Sequence, residues 1–68
     1  MPDADTLLLS LFTRQAHELR AHLRFYGVTA SNRELAERVV EDAARHISRV
    51  RRGRDGLRSR LERLLTAY

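Results

Sequence analysis

Apolar residues recur every three or four positions along almost the whole chain, and no stretch alternates apolar with polar as a half-buried strand does. That period restricts the chain to helices. It is punctuated at two places, around Gly27 and at Gly-Arg-Asp-Gly over 53–56. The pattern therefore predicts three helices, at about 6–26, 32–51 and 56–67, within a single helical domain spanning 1–68. Three helices joined by short links form a small three-helix bundle, so the expected fold class is all-α.

Each helix has its own signals. Asp3 or Asp5 can cap the first by accepting from its unpaired backbone N–H groups. Leu8, Phe12, Ala16, Leu19, Leu23 and Tyr26 share one face of it, and Leu7, Leu11, His22 and Phe25 form a second apolar flank. A surface that wide needs two neighbours. Gly27 then offers a left-handed stop. Ser-Asn-Arg-Glu, 31–34, reads as a capping box, with Ser31 and Glu34 each bonding the other's backbone N–H. Ala36, Val40, Ala43, Ile47 and Val50 form the stripe of the second helix, with Val39 alongside. Glu34–Arg38 and Glu41–Arg45 are favourable pairs four residues apart.

The third helix has Leu57, Leu61 and Leu64 as its stripe, with Leu65 and Tyr68 beside it. Gly53 in a left-handed stop and Asp55 as the next cap would set the bend. The heptad of helix two nevertheless continues in register from Val50 through Arg54 to Leu57, Leu61 and Leu64. The alternative to a bundle is thus one long helix in a helical hairpin that forms a dimeric bundle. Two Gly and an Asp within four residues favour the break.

A chain of 68 residues buries only about 60% of its unfolded surface, so a monomer is marginal. It has no Cys to staple it, and its eleven Leu must supply helix packing or self-association. No apolar run approaches the ~20 residues that span a bilayer, and the opening Met-Pro-Asp-Ala-Asp lacks the basic start of a secretory signal. The expectation is a cytoplasmic protein.

Charge is distributed unevenly. Residues 1–44 hold five Arg against seven acids, and residues 45–68 hold eight Arg against two. There is no Lys. On the wheel of helix two, Arg38, Arg45, Arg49 and Arg52 form a stripe opposite the apolar seam, able to follow a phosphate backbone. The plainer account is a solvated face whose cations meet the negative end of the helix dipole. In helix three Arg58 flanks the Leu stripe on one side and Arg60 and Arg63 on the other, with no aromatic interleaved to stack bases.

Catalytic signatures are missing. The chain has no GxSxG, phosphate-binding loop, HExxH or GxGxxG pattern. His17 and His22 point about 140° apart on a helix and cannot simply share an ion. Asp42 and His46 make half a metal site, more plainly read as a solvated pair, and His22 reads as a packed or interface residue. No catalytic residue, cofactor or metal site is assigned.

Residues 10–50 resemble region 2 of the extracytoplasmic-function sigma factors. SLFTRQAHELRAHLRFYG is similar to its opening helix, and NRELAERVVEDAARHISRV to the helix that follows. Ala36, Glu37, Val39, Val40 and Asp42 match the family's pattern; Arg38, Glu41 and Ala44 depart from it, standing where the family has an acid, a Gln and an aromatic. In that family the second helix docks on the β′ subunit of RNA polymerase, and the resemblance implies partner-binding residues Glu37, Glu41, Asp42 and Arg45. The promoter-melting segment has no counterpart, so the resemblance implies a sigma-like fragment or mimic.

The sequence thus points to a non-enzymatic helical protein-interaction module, in its sharpest form a sigma-like regulator that contacts RNA polymerase or another transcription component. The alternatives are a small Arg-rich nucleic-acid-binding protein, with Arg38, Arg45, Arg49 and Arg52 on phosphate, and a structural dimerisation module that forms a homodimer.

Overall fold

A computed structural model describes residues 3–67. Every element among them is helical: α1 Ala4–Phe25, α2 Asn32–Ala44, α3 Ser48–Arg52 and α4 Arg54–Thr66. Three long helices make the bundle, and the short α3 joins two of them.

The ends of α1 follow local chemistry. Asp3 has extended backbone, and its carboxylate accepts from the Thr6 N–H at 2.7 Å. At the other end Gly27 adopts φ 77°. The Gly27 N–H donates to Arg24 and the Val28 N–H to Leu23, both at 2.9 Å. These are the two bonds of a Schellman stop, which the missing Cβ of Gly27 permits. The capping box of α2 is present as expected. Ser31 Oγ accepts from the Glu34 N–H at 3.1 Å, and Glu34 Oε1 accepts from the Ser31 N–H at 3.4 Å.

Helix two does not run to residue 51. It ends at Ala44, and the chain turns through Arg45 and His46 into an extended Ile47 (φ −122°, ψ 108°) before α3 begins. The turn carries Val50 to full burial, while Ile47, expected on the stripe, is exposed. Arg51 Nε donates to the Ala44 carbonyl at 3.1 Å, satisfying an acceptor that the ended helix leaves open. Core burial of Val50 thus overrides a local sequence with no Gly or Pro to mark the break.

The second bend is a single residue. Gly53 lies between α3 and α4 at φ −105°, not in the left-handed region. Asp55 and Gly56 already belong to α4, which starts at Arg54 rather than Gly56. Asp55 is therefore not a cap; it sits in the first turn, where the helix dipole favours an acid.

With two bends between them, α2 and α4 lie side by side and antiparallel. Asn32, opening α2, donates to Thr66 at the end of α4 (3.2 Å), and Glu41 in α2 pairs with Arg54 at the start of α4 (3.4 Å). The continuous hairpin helix is thereby replaced by a folded-back bundle. Its radius of gyration, 11.7 Å, is near the ~11 Å of a compact chain this long.

One apolar core joins all four helices. It holds Leu9, Phe12 and Ala16 of α1, Leu35, Ala36, Val39, Val40 and Ala44 of α2, Val50 of α3, and Leu57, Leu61 and Leu65 of α4. The expected stripes are rotated in places. Leu9 is buried while Leu8, Leu19 and Leu23 are partly so, and Leu65 is buried while Leu64 is 37% exposed. Phe25 and Tyr26, read as flank and core, are both exposed. Tyr68, placed beside the third stripe, lies outside the described residues.

Glycine substitutions test this geometry. A Cβ on Gly56 would meet nothing within 4 Å and the residue is helical, so Gly56→Ala should stabilise the fold by about 0.5–1 kcal/mol in urea titration. Gly27→Ala, forced to keep a positive φ, should cost about 1 kcal/mol. The Asp3 cap predicts a pH effect. The Thr6 backbone bond holds the Asp3 pKa below its ordinary 3.8. Its contribution is fully present above that unfolded value and is lost as pH falls through the lower folded one. Asp3→Asn, still a cap, should flatten that part of the acid limb in thermal melts recorded against pH.

Candidate functional site

The outward face of α2 is built by the burial of its other side. Once Leu35, Ala36, Val39, Val40 and Ala44 face the core, Arg33, Glu34, Glu37, Arg38, Glu41 and Asp42 must face outward, and all six are exposed. Of the residues the resemblance points to, Glu37, Glu41 and Asp42 sit on this face, and Arg45 adjoins it just past the helix end.

Each of the four is held in an ion pair. Arg33 meets Glu37 at 3.2 Å, Asp42 accepts from Arg38 at 3.4 Å and lies 3.6 Å from Arg45, and Glu41 takes Arg54 across the helix gap. Glu41 pairs with Arg54 of α4 rather than with Arg45, which lies by Asp42 instead. A groove of about 460 Å³ runs between α2 and α4 above the fully buried Val40, walled by Arg33, Glu37, Glu41, Arg54, Asp55 and Arg58. The chemistry on offer is alternating charge, suited to a polar protein surface.

The Arg stripe is not one line. Arg38 belongs to α2, Arg45 to the turn, and Arg49 and Arg52 to α3, so the straight wheel that aligned them does not apply. Arg38 and Arg45 share Asp42, while Arg49 donates to Asp5 of α1 at 3.0 Å. Arg52 makes no ion pair among the described residues. The fold gathers a different set: Arg49, Arg52 and Arg60 line a hollow of about 450 Å³ beside Gly53 and Gly56, with Asp5 between Arg49 and Arg60. Asp5 as a bridge carried no sequence signal, since its partners lie far along the chain. Arg58 and Glu62 pair at 2.8 Å with the four-residue spacing of a helical pair, which the reading of Arg58 as a flank of the Leu stripe passed over.

The His readings change with the helix ends. His46 falls in the turn beyond α2 and is exposed. His22 is exposed, its ring edge-on to Tyr26 with centroids 5.1 Å apart. Among the described residues no three His, Asp or Glu side chains gather as metal ligands, and no polar side chain is buried. No described helix is long and apolar enough to cross a membrane.

No protein-family model, curated protein or solved structure matches the chain.

Asp5 gives a measurable consequence. Replacing it by Ala removes the partner of both Arg49 and Arg60. Because the pairs are largely solvated, the loss in urea titration should be only about 0.3–1 kcal/mol, and less at high salt. A loss several times larger would show that Asp5 organises the hollow rather than decorating it.

Proposed function

We propose that the chain is a non-enzymatic helical interaction module that binds a protein of the transcription machinery, RNA polymerase in the sharpest form, through the outward face of α2. The observation that carries the reading is the placement of Glu37, Glu41, Asp42 and Arg45 at one exposed surface, alongside a groove walled by charged side chains of α2 and α4. Of these, Glu37 and Asp42 match the pattern of sigma region 2, whereas Glu41 stands where that family has a Gln and Arg45 lies outside the pattern. The ion pairs of all four are exposed and worth little individually, so a partner can exchange them at small cost, and their alternating signs favour a partner of matching pattern over one of uniform charge.

A second reading draws on the hollow lined by Arg49, Arg52 and Arg60, which can hold phosphate. Asp5 already answers two of these three cations. A nucleic-acid grip must displace or outweigh it, and for that reason protein binding is the preferred reading.

Retention on immobilised core RNA polymerase tests the proposal. The chain should be retained at low salt, and the pair Glu37→Lys and Asp42→Lys should abolish retention while the helical circular-dichroism spectrum is unchanged. Absence of retention sinks the polymerase reading. Binding to duplex DNA, with a log–log salt slope of about −0.9 per phosphate contact and sensitivity to Arg52→Ala, would put the second reading in its place.

A further inference from the structure

α1 carries a second line of side chains on the side away from the core. Leu7, Leu11, Arg14, Glu18, Ala21 and Phe25 are all exposed. Their alternating spacing of four and three sets them in one row along the helix, the row that a coiled-coil seam occupies. Leu7 is 59% exposed and Phe25 82%, at opposite ends of a 22-residue helix. At the centre are two charges. Arg14 and Glu18 are four apart, yet neither makes an ion pair or side-chain hydrogen bond among the described residues. An Arg that precedes its Glu is the less favourable order on a helix.

The row has the same chemical order from both ends: two apolar residues, a charge, the opposite charge, two apolar residues. We propose that this face of α1 is a homodimer interface in which two copies pair antiparallel about a twofold axis that passes between Arg14 and Glu18. That register sets Leu7 against Phe25 of the second copy, Leu11 against Ala21, and Arg14 against Glu18. The unpaired charges of one chain become two ion pairs between chains. A parallel pairing sets Arg14 against Arg14 and Glu18 against Glu18, so charge selects the orientation, as central polar residues do in coiled coils.

The surface has room for the contact. Ser10 and Ala21 are small, and beside the row they leave a shallow groove of about 550 Å³ along α1, with Thr13 and His17 on its far side. Leu11 of the second copy, opposite Ala21, enters it. The strip from Leu7 to Phe25 is about 27 Å long and about 10 Å wide, below the ~800 Å² per partner of a standard interface. The association is accordingly weak. The outward face of α2 remains open in the dimer, so this inference is independent of the function proposed above.

Sedimentation equilibrium at low salt, from about 1 to 500 µM, reads the association; a dissociation constant of about 1–100 µM is expected for an interface this small. Arg14→Glu alone or Glu18→Arg alone should weaken it at least tenfold by facing like charges, and the two together should restore it. Both positions of the charge test are exposed, so the fold is kept, as circular dichroism will verify. Phe25→Ser should also weaken the dimer. Orientation is read with single cysteines, since the chain has none of its own. Chains carrying Leu7→Cys should cross-link to chains carrying Phe25→Cys faster than either does to itself. A monomer across the whole range overturns the proposal, as does a dimer indifferent to both single charge reversals. Failure of the double variant to restore association, or preferred like-with-like cross-linking, overturns the antiparallel register.

Discussion

The structure depends on the burial of α2. Five of its thirteen residues are buried, more than in any other helix, and they form two adjoining surfaces, one for α1 and one for α4. Ala36 and Ala44 let the neighbouring backbones come close, while Leu35, Val39 and Val40 fill the space between them. Apolar packing alone is tolerant of rotation and slip. Two polar clips remove that freedom. At one end Asn32 accepts from Arg20 of α1 and donates to Thr66 of α4. At the other, Asp5 of α1 meets Arg49 of α3 and Arg60 of α4. Each clip joins three helices, and neither is buried, so neither carries the desolvation cost of an internal charge.

Charge follows from the same packing. The Arg-rich second half of the sequence looks, in one dimension, like a handle for an anionic partner. In three dimensions much of it folds back on the acidic first half: Arg54 on Glu41, Arg49 and Arg60 on Asp5. The asymmetry is partly an internal complement, a weak guide to docking α4 on α2 and α1, and only the remainder is open to a ligand. Arg45 is answered locally instead, by Asp42 three residues earlier.

What was legible in the sequence is what local chemistry decides. The Ser31–Glu34 capping box and the Gly27 stop need only residues a few positions apart, and both stand where they were expected. The heptad in helix two misled because it treats the helix as continuous. Nothing between Ala44 and Ser48 is a strong breaker; the turn exists because Val50 gains burial by it, and that gain is visible only when α4 is in place. Leu9 and Leu65 were displaced in the stripes for a related reason. An apolar run such as Leu7–Leu8–Leu9 satisfies several helical phases, and the neighbours choose among them. Of the candidate site, the exposure of Glu37, Glu41 and Asp42 followed from the period, whereas their partners did not, because Arg54 approaches through tertiary folding.

The excess of apolar surface on α1 then has a physical meaning. A flank wide enough for two neighbours is covered on one side only. Leu8, Phe12 and Ala16 turn toward α2 and α4, while Leu7, Leu11 and Phe25 keep their exposure. Among the described residues no helix is left to cover them. A chain this small gains from association, since folding alone removes only about 60% of its surface from water, and a partner that binds only the folded form stabilises it by mass action. The pairing proposed for α1 would have a further effect at α2. It would present two copies of one charged face, so that two weak contacts act at a shared effective concentration wherever the proposed partner repeats its own surface. An exposed ion-pair face that is weak alone would then become selective by number.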